Sequence, residues 1–123
     1  MPEQTRKLVI VITCGLEDEK MSVAWSIANG GVKSGLDVTI FLTSSAVDCV
    51  RKRAADQVRL NPLDPPLGEM IQNVRTQGVS ILVCPPCAKV RGYTEEDLLD
   101  GVVITGSGAI HALIKDGAAT LSF

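Results

Sequence analysis

Two cysteines three positions apart, Cys84 and Cys87, enclose Pro85 and Pro86. A thiolate is the nucleophile in thiol exchange, peroxide reduction and sulfur transfer, so this segment is where covalent chemistry is expected first. Cys84 ends the apolar run that begins at Val79, where the chain is expected to leave a strand and turn toward a helix. Amide groups at a helix N-terminus lower a thiol pKa, and Lys89 and Arg91 add positive potential nearby. The pair supports several readings. Cys84 acts as a nucleophile, or Cys84 and Cys87 form a dithiol redox couple, or the pair is half of a zinc site. Zinc would need Cys14 and His111 from two further loops, so no metal is expected. In the plainest reading Cys84 is a small hydrophobe in a strand.

The remaining candidates carry weaker signals. Cys14 ends the first apolar run and would lie near Cys84 if strands one and three were neighbours, as a resolving or a packed thiol. Cys49 lies between Val47 and Val50, where packing is expected. His111 is the one histidine and is expected on a helix surface. Gly106-Ser107-Gly108 has two glycines of a dinucleotide fingerprint, but His111 stands where the third would be. It also opens the last strand–helix unit rather than the first, so no dinucleotide cofactor is expected. Arg51, Lys52 and Arg53 read as a solvated helix face or a surface for an acidic partner.

These residues are positioned by a run of alternating strands and helices. Lys7 to Thr13 and Val38 to Leu42 are continuous aliphatic runs, the pattern of strands covered on both faces. Between them Met21, Ala24, Trp25, Ala28 and Val32 recur at helical spacing, with Gly30, Gly31 and Gly35 expected to end the helix. Ser44 or Ser45 is expected to cap a helix carrying Val47, Val50, Ala54 and Val58. Leu60 to Pro66 reads as a loop. Leu67, Met70, Ile71 and Val74 mark one face of a helix ending near Gly78. Strands are expected over Val79 to Cys84, Val102 to Ile104 and Ala119 to Phe123, with a helical turn at Thr94 to Leu98. A helix is expected over Ser107 to Asp116, with Ile110, Leu113 and Ile114 inward. The order predicts an α/β fold: one domain over residues 1–123, with a five-stranded, mainly parallel sheet and helices on both faces. Working residues of such sheets collect at the carboxyl ends of the strands. Those ends are Thr13 to Gly15, Thr43 to Ser45, Cys84 to Cys87 and Thr105 to Gly108.

Composition narrows the function classes. The chain has 123 residues, 46% of them hydrophobic, enough for one core and too many for a disordered chain. A net charge of −2 argues against nucleic-acid binding by bulk charge, and 3% aromatics against a base-stacking surface. No apolar run approaches a membrane span, and Met1 to Gln4 begin no signal-peptide core, so a cytoplasmic protein with reduced thiols is expected.

Over nearly its whole length the chain resembles the DsrE/DsrF-like family, the DsrE/TusD-type sulfur-relay proteins. The likeness runs through Val11-Ile12-Thr13-Cys14-Gly15 with Glu17-Asp18, and Gly35 to Leu42. Its most specific piece is Gly78 to Cys84 followed by Arg91-Gly92. It closes on Gly101 to Ile110 and the terminal Leu121-Ser122-Phe123. The resemblance implies a parallel α/β sheet assembled into homotrimers or homohexamers. It also implies a cysteine that carries sulfur as a persulfide between donor and acceptor proteins, at the position of Cys84. The expected function is therefore a sulfur carrier or sulfurtransferase without cofactor or metal. The alternatives are a peroxiredoxin-like thiol–disulfide protein using Cys84 and Cys87, and a non-catalytic assembly module. Cys87 departs from a single-cysteine carrier, because a thiol one helical turn from a persulfide can attack it, expel sulfide and leave a disulfide.

A helix apolar on more than one side is buried twice. Trp25, with Val23 and Ile27 flanking its stripe, therefore predicts that the first helix packs against both its own sheet and another subunit.

Overall fold

Lys7–Ile12 and Asp37–Leu42 pair as parallel strands β1 and β2, in register from Lys7 opposite Asp37 to Ile12 opposite Leu42. Side chains alternate across a sheet, so each aliphatic run feeds two layers. Leu8, Ile10, Ile12, Val38, Ile40 and Leu42 enter the larger core, while Val9 and Phe41 enter a smaller one on the opposite face. The remaining strands are β3 (Ser80–Val83), β4 (Val103–Ile104) and β5 (Ala119–Ser122). The sheet order is β4-β3-β2-β1-β5, and every pairing is parallel. The computed structural model describes residues 5–123; Met1 to Gln4, where no signal-peptide core was expected, lie outside them.

Helix α1 (Lys20–Lys33) and helix α2 (Leu67–Thr76) cover the larger core. Trp25 on α1 and Ile71 on α2 are both in it and almost fully buried. Helix α4 (Gly108–Lys115) covers the other face through Ile110, with Leu113 half-buried against the same cluster. Ile114, expected to point inward, is exposed although it shares a face with Ile110 at i, i+4; it stands one residue from the end of α4. Among the described residues no helix is long and apolar enough to cross a membrane.

The glycines of α1 divide into two roles. Gly30 and Gly31 do not end the helix; both lie inside it. Gly31 is there for contact: a Cβ on it would stand 3.1 Å from Val38 Cγ2 and 3.3 Å from Leu8 Cδ2. Gly35 is the terminator, at φ +84, with Leu36 N–H donating to Gly31 O and Gly35 N–H to Val32 O. Trp25 is buried completely within its own chain, and on α1's outer side only Val23 is an exposed large apolar residue. Most of the apolar girth of α1 is therefore taken up by its own core, with Val23 left exposed.

The helix expected from Ser44 through Val58 is shorter than its pattern. A 3-10 helix runs over Ser44–Val50, with Thr43 and not a serine at its N-cap. Arg51 then turns extended and bridges Leu98, and Arg53 takes φ +73. Lys52 N–H donates to Asp97 O, so the basic cluster lies on an irregular loop rather than a helix face. The apolar residues beyond Val50 follow that loop: Ala55 reaches the core and Val58 packs half-buried against it.

Candidate functional site

The turn out of β3 falls at Cys84 for a steric reason. A residue before proline is held out of the helical region, and Cys84 takes φ −60, ψ 124. Its N–H donates to Leu42 O at 2.9 Å, continuing the sheet ladder one step past the strand. Pro85 and Pro86, pre-set for helical φ, then start helix α3 (Pro85–Val90). This overturns one sequence expectation. The first two residues of α3 are prolines and bring no N–H, so two of the amides expected to support a Cys84 thiolate are missing from that turn and only that of Cys87 remains.

Those polar contacts go to Cys87 instead. One helical turn along α3, Cys87 Sγ lies 3.1 Å from Cys84 Sγ. It accepts from the Ser44 N–H at 3.2 Å and lies 3.4 Å from Thr43 Oγ1. Both residues follow β2, the strand beside β3, so the sheet order delivers them to α3. The Thr43 hydroxyl above all, then the Cys84 thiol, the Ser44 amide and the Arg91 charge hold the Cys87 thiol below its ordinary range, with burial opposing them. Ser44 adopts φ +55, a left-handed conformation that costs a non-glycine residue roughly 1–2 kcal/mol. That conformation accompanies an amide aimed at Cys87 sulfur.

A polar network ties α3 to the same 3-10 helix. Tyr93 donates its hydroxyl to Asp48 Oδ1 at 2.6 Å, and Arg91 Nε lies 3.5 Å from that same oxygen. Arg91 also donates to Cys87 O at 3.1 Å. Arg91 thus acts on the thiol pair through a backbone contact and its charge, whereas Lys89 is exposed on α3.

The other sequence candidates lie elsewhere. Strand β2 separates β1 from β3, so Cys14 does not stand on a strand beside Cys84. Burial foremost, then the Asp18 charge, pushes the Cys14 thiol up. Cys49 is fully buried in the larger core, and desolvation pushes its thiol far up. His111 is exposed on α4, and among the described residues no three His, Cys, Asp or Glu side chains group as metal ligands. Asp48 and Tyr93 were not singled out in the sequence. Tyr93 follows Gly92, whose φ of +74 turns the chain back at the end of α3, and that glycine was the available signal.

The model of the DsrE/DsrF-like family matches residues 6–123. The chain is 32% identical over 102 residues to the uncharacterized protein MJ0760 of Methanocaldococcus jannaschii, covering 82% of this chain and 37% of that protein. It thus spans little more than a third of that relative's length. It is 28% identical over 116 residues to MJ0989 of the same organism, covering 94% of this chain and 96% of that one. Among solved structures, the ychN protein from E. coli superposes with a TM-score of 0.77 at 20% identity, over 98% of this chain and all of that one. The protein MTH1491 from Methanobacterium thermoautotrophicum does so at 0.69 and 17%, again over 98% of this chain and all of that one. At such identities the likeness to both structures is one of fold.

Proposed function

The chain belongs to the DsrE/DsrF-like family, and on that premise we propose that it relays sulfane sulfur as a persulfide on Cys84. The carrying observation is position. Cys84 stands half-buried at the carboxyl end of β3, in an all-parallel sheet of the kind whose strand ends hold working residues. Burial pushes the Cys14 and Cys49 thiols up, which makes both of them poor nucleophiles near neutral pH. The Cys84 thiolate attacks the outer sulfur of a donor persulfide, and the donor leaves as its thiolate. The sulfur then rests on Cys84 until an acceptor thiolate attacks the same outer atom and Cys84 leaves. Donor and acceptor are proteins met in the cytoplasm, and the step needs no cofactor or metal.

The test is loading of the Cys87→Ser protein, in which a persulfide has no thiol beside it. Incubated with a sulfane-sulfur donor, it gains the mass of one sulfur atom, and peptide mapping assigns that atom to Cys84. A protein that takes up no sulfur from any donor contradicts the reading.

The carrier works as a homotrimer or homohexamer, as the family resemblance implies. The face of the sheet under α4 supports this: Val103 is exposed and Leu82, its register partner, is half-buried. Light scattering at micromolar concentration is expected to give three or six times the chain mass, and a monomer would remove the claim.

A further inference from the structure

From the contacts around Cys87 we infer that a persulfide on Cys84 is discharged within the chain, releasing hydrosulfide and leaving a Cys84–Cys87 disulfide. The inference rests on the carrier reading and specifies what becomes of the sulfur when no acceptor takes it. Three observations carry it. The two sulfurs lie 3.1 Å apart, already at attack distance. Cys87 receives the Ser44 amide and stands beside the Thr43 hydroxyl, both of which favour its thiolate. Ser44 keeps that amide in place from a left-handed conformation that serine disfavours, and such strain gathers at functional positions.

The step balances without a further reactant. The Cys87 thiolate attacks Cys84 Sγ, the inner sulfur of the persulfide. The Cys84–sulfur bond to the outer atom breaks, and that atom leaves with the bonding pair as hydrosulfide. The outer sulfur is reduced, and the two cysteines are oxidised to the disulfide. A dithiol reductant then restores both thiols and leaves as its own disulfide. The polarity is the reverse of a pair in which helix amides serve the first cysteine. Pro85 and Pro86 withhold those amides, and the loop after β2 serves the second cysteine instead.

The experiment mixes reduced protein, without oxygen, with one equivalent of glutathione persulfide. Hydrosulfide and protein mass are followed over time. The wild type is expected to release one equivalent of hydrosulfide per chain and to acquire the Cys84–Cys87 disulfide. Cys87→Ser keeps its sulfur on Cys84 and releases it about tenfold more slowly or less, having lost an attacking group held in place. Because the thiolate attacks, release speeds up as pH rises through the Cys87 ionisation. Thr43→Val, which removes the leading support of that thiolate, moves the midpoint of this profile to higher pH. A merely structural role for Thr43 would change the rate and leave the midpoint in place. A wild type that stores the persulfide as long as Cys87→Ser does, or equal hydrosulfide release from both, overturns the inference and leaves the carrier standing. If neither protein loads, the carrier reading itself fails and the inference with it.

Discussion

Cys84→Ser takes up no sulfur from any sulfane donor, yet unfolds within about 1 kcal/mol of the wild type. Both halves of this expectation follow from how Cys84 is held. The bond that places it runs from its backbone N–H to Leu42 O, and serine keeps it. The turn into α3 is set by Pro85 and Pro86, which the substitution leaves in place. A hydroxyl at this half-buried strand end can still find a partner, so the penalty for burying it is small. The chemistry is lost outright, because an alkoxide is not available near neutral pH and no oxygen counterpart of the persulfide is stable. Mass spectrometry of the treated variant and a parallel urea titration read the two effects separately. Loading equal to that of Cys87→Ser would move the carrier role to Cys14 or Cys87. A stability loss of several kcal/mol would mean that Cys84 is a core residue first.

Trp25→Ala is expected to cost about 3–5 kcal/mol, the range for deleting a fully buried large aromatic ring. For a domain stabilised by about 5–15 kcal/mol that is a large share of the total. Trp25 is completely buried on α1, in the cluster that also holds Ile10, Ile40 and Ile71. Its neighbours come from two strands and a second helix, so the gap cannot close by one side chain moving. Its buried indole N–H makes no well-formed hydrogen bond and faces the Cys49 thiol. Trp25→Phe removes that poorly satisfied donor while keeping most of the bulk, and should cost far less than the alanine variant. Urea denaturation of both variants checks this. Equal losses would show that ring volume is not what the core uses.

The strands and helix faces were legible because their patterns are local. Lys7 to Ile12 and Val38 to Leu42 carry doubly covered strands in their composition, and Leu67, Met70, Ile71 and Val74 mark the buried face of α2 directly. The segment after Val50 misled because its apolar spacing suits a helix, while Arg53 at positive φ and the Arg51–Leu98 bridge depend on a distant partner. The amphipathic girth of α1 is read less directly: Ala24, Trp25 and Ala28 enter the larger core and Ile27 packs half-buried against it, which leaves Val23 as the exposed large apolar residue of the helix. At the site, the cysteine pair was legible and its polarity was not. Proline adjacency alone could have shown that Cys84 gains no amide from the first two residues of α3. That Thr43 and Ser44 serve Cys87 requires knowing that β2 lies beside β3, and Asp48 and Tyr93 meet only once α3 has docked on the 3-10 helix.

Whether sulfur rides on Cys84 is decided in the Cys87→Ser protein, which lacks the thiol placed to discharge the persulfide. After treatment with a sulfane-sulfur donor and removal of excess reagent, the remaining thiols are alkylated, the chain is digested and each cysteine peptide is weighed. One additional sulfur atom is expected on the peptide holding Cys84 and none on those holding Cys14 and Cys49. Additional sulfur on Cys14 with Cys84 unmodified, or no sulfur on any peptide, would contradict it.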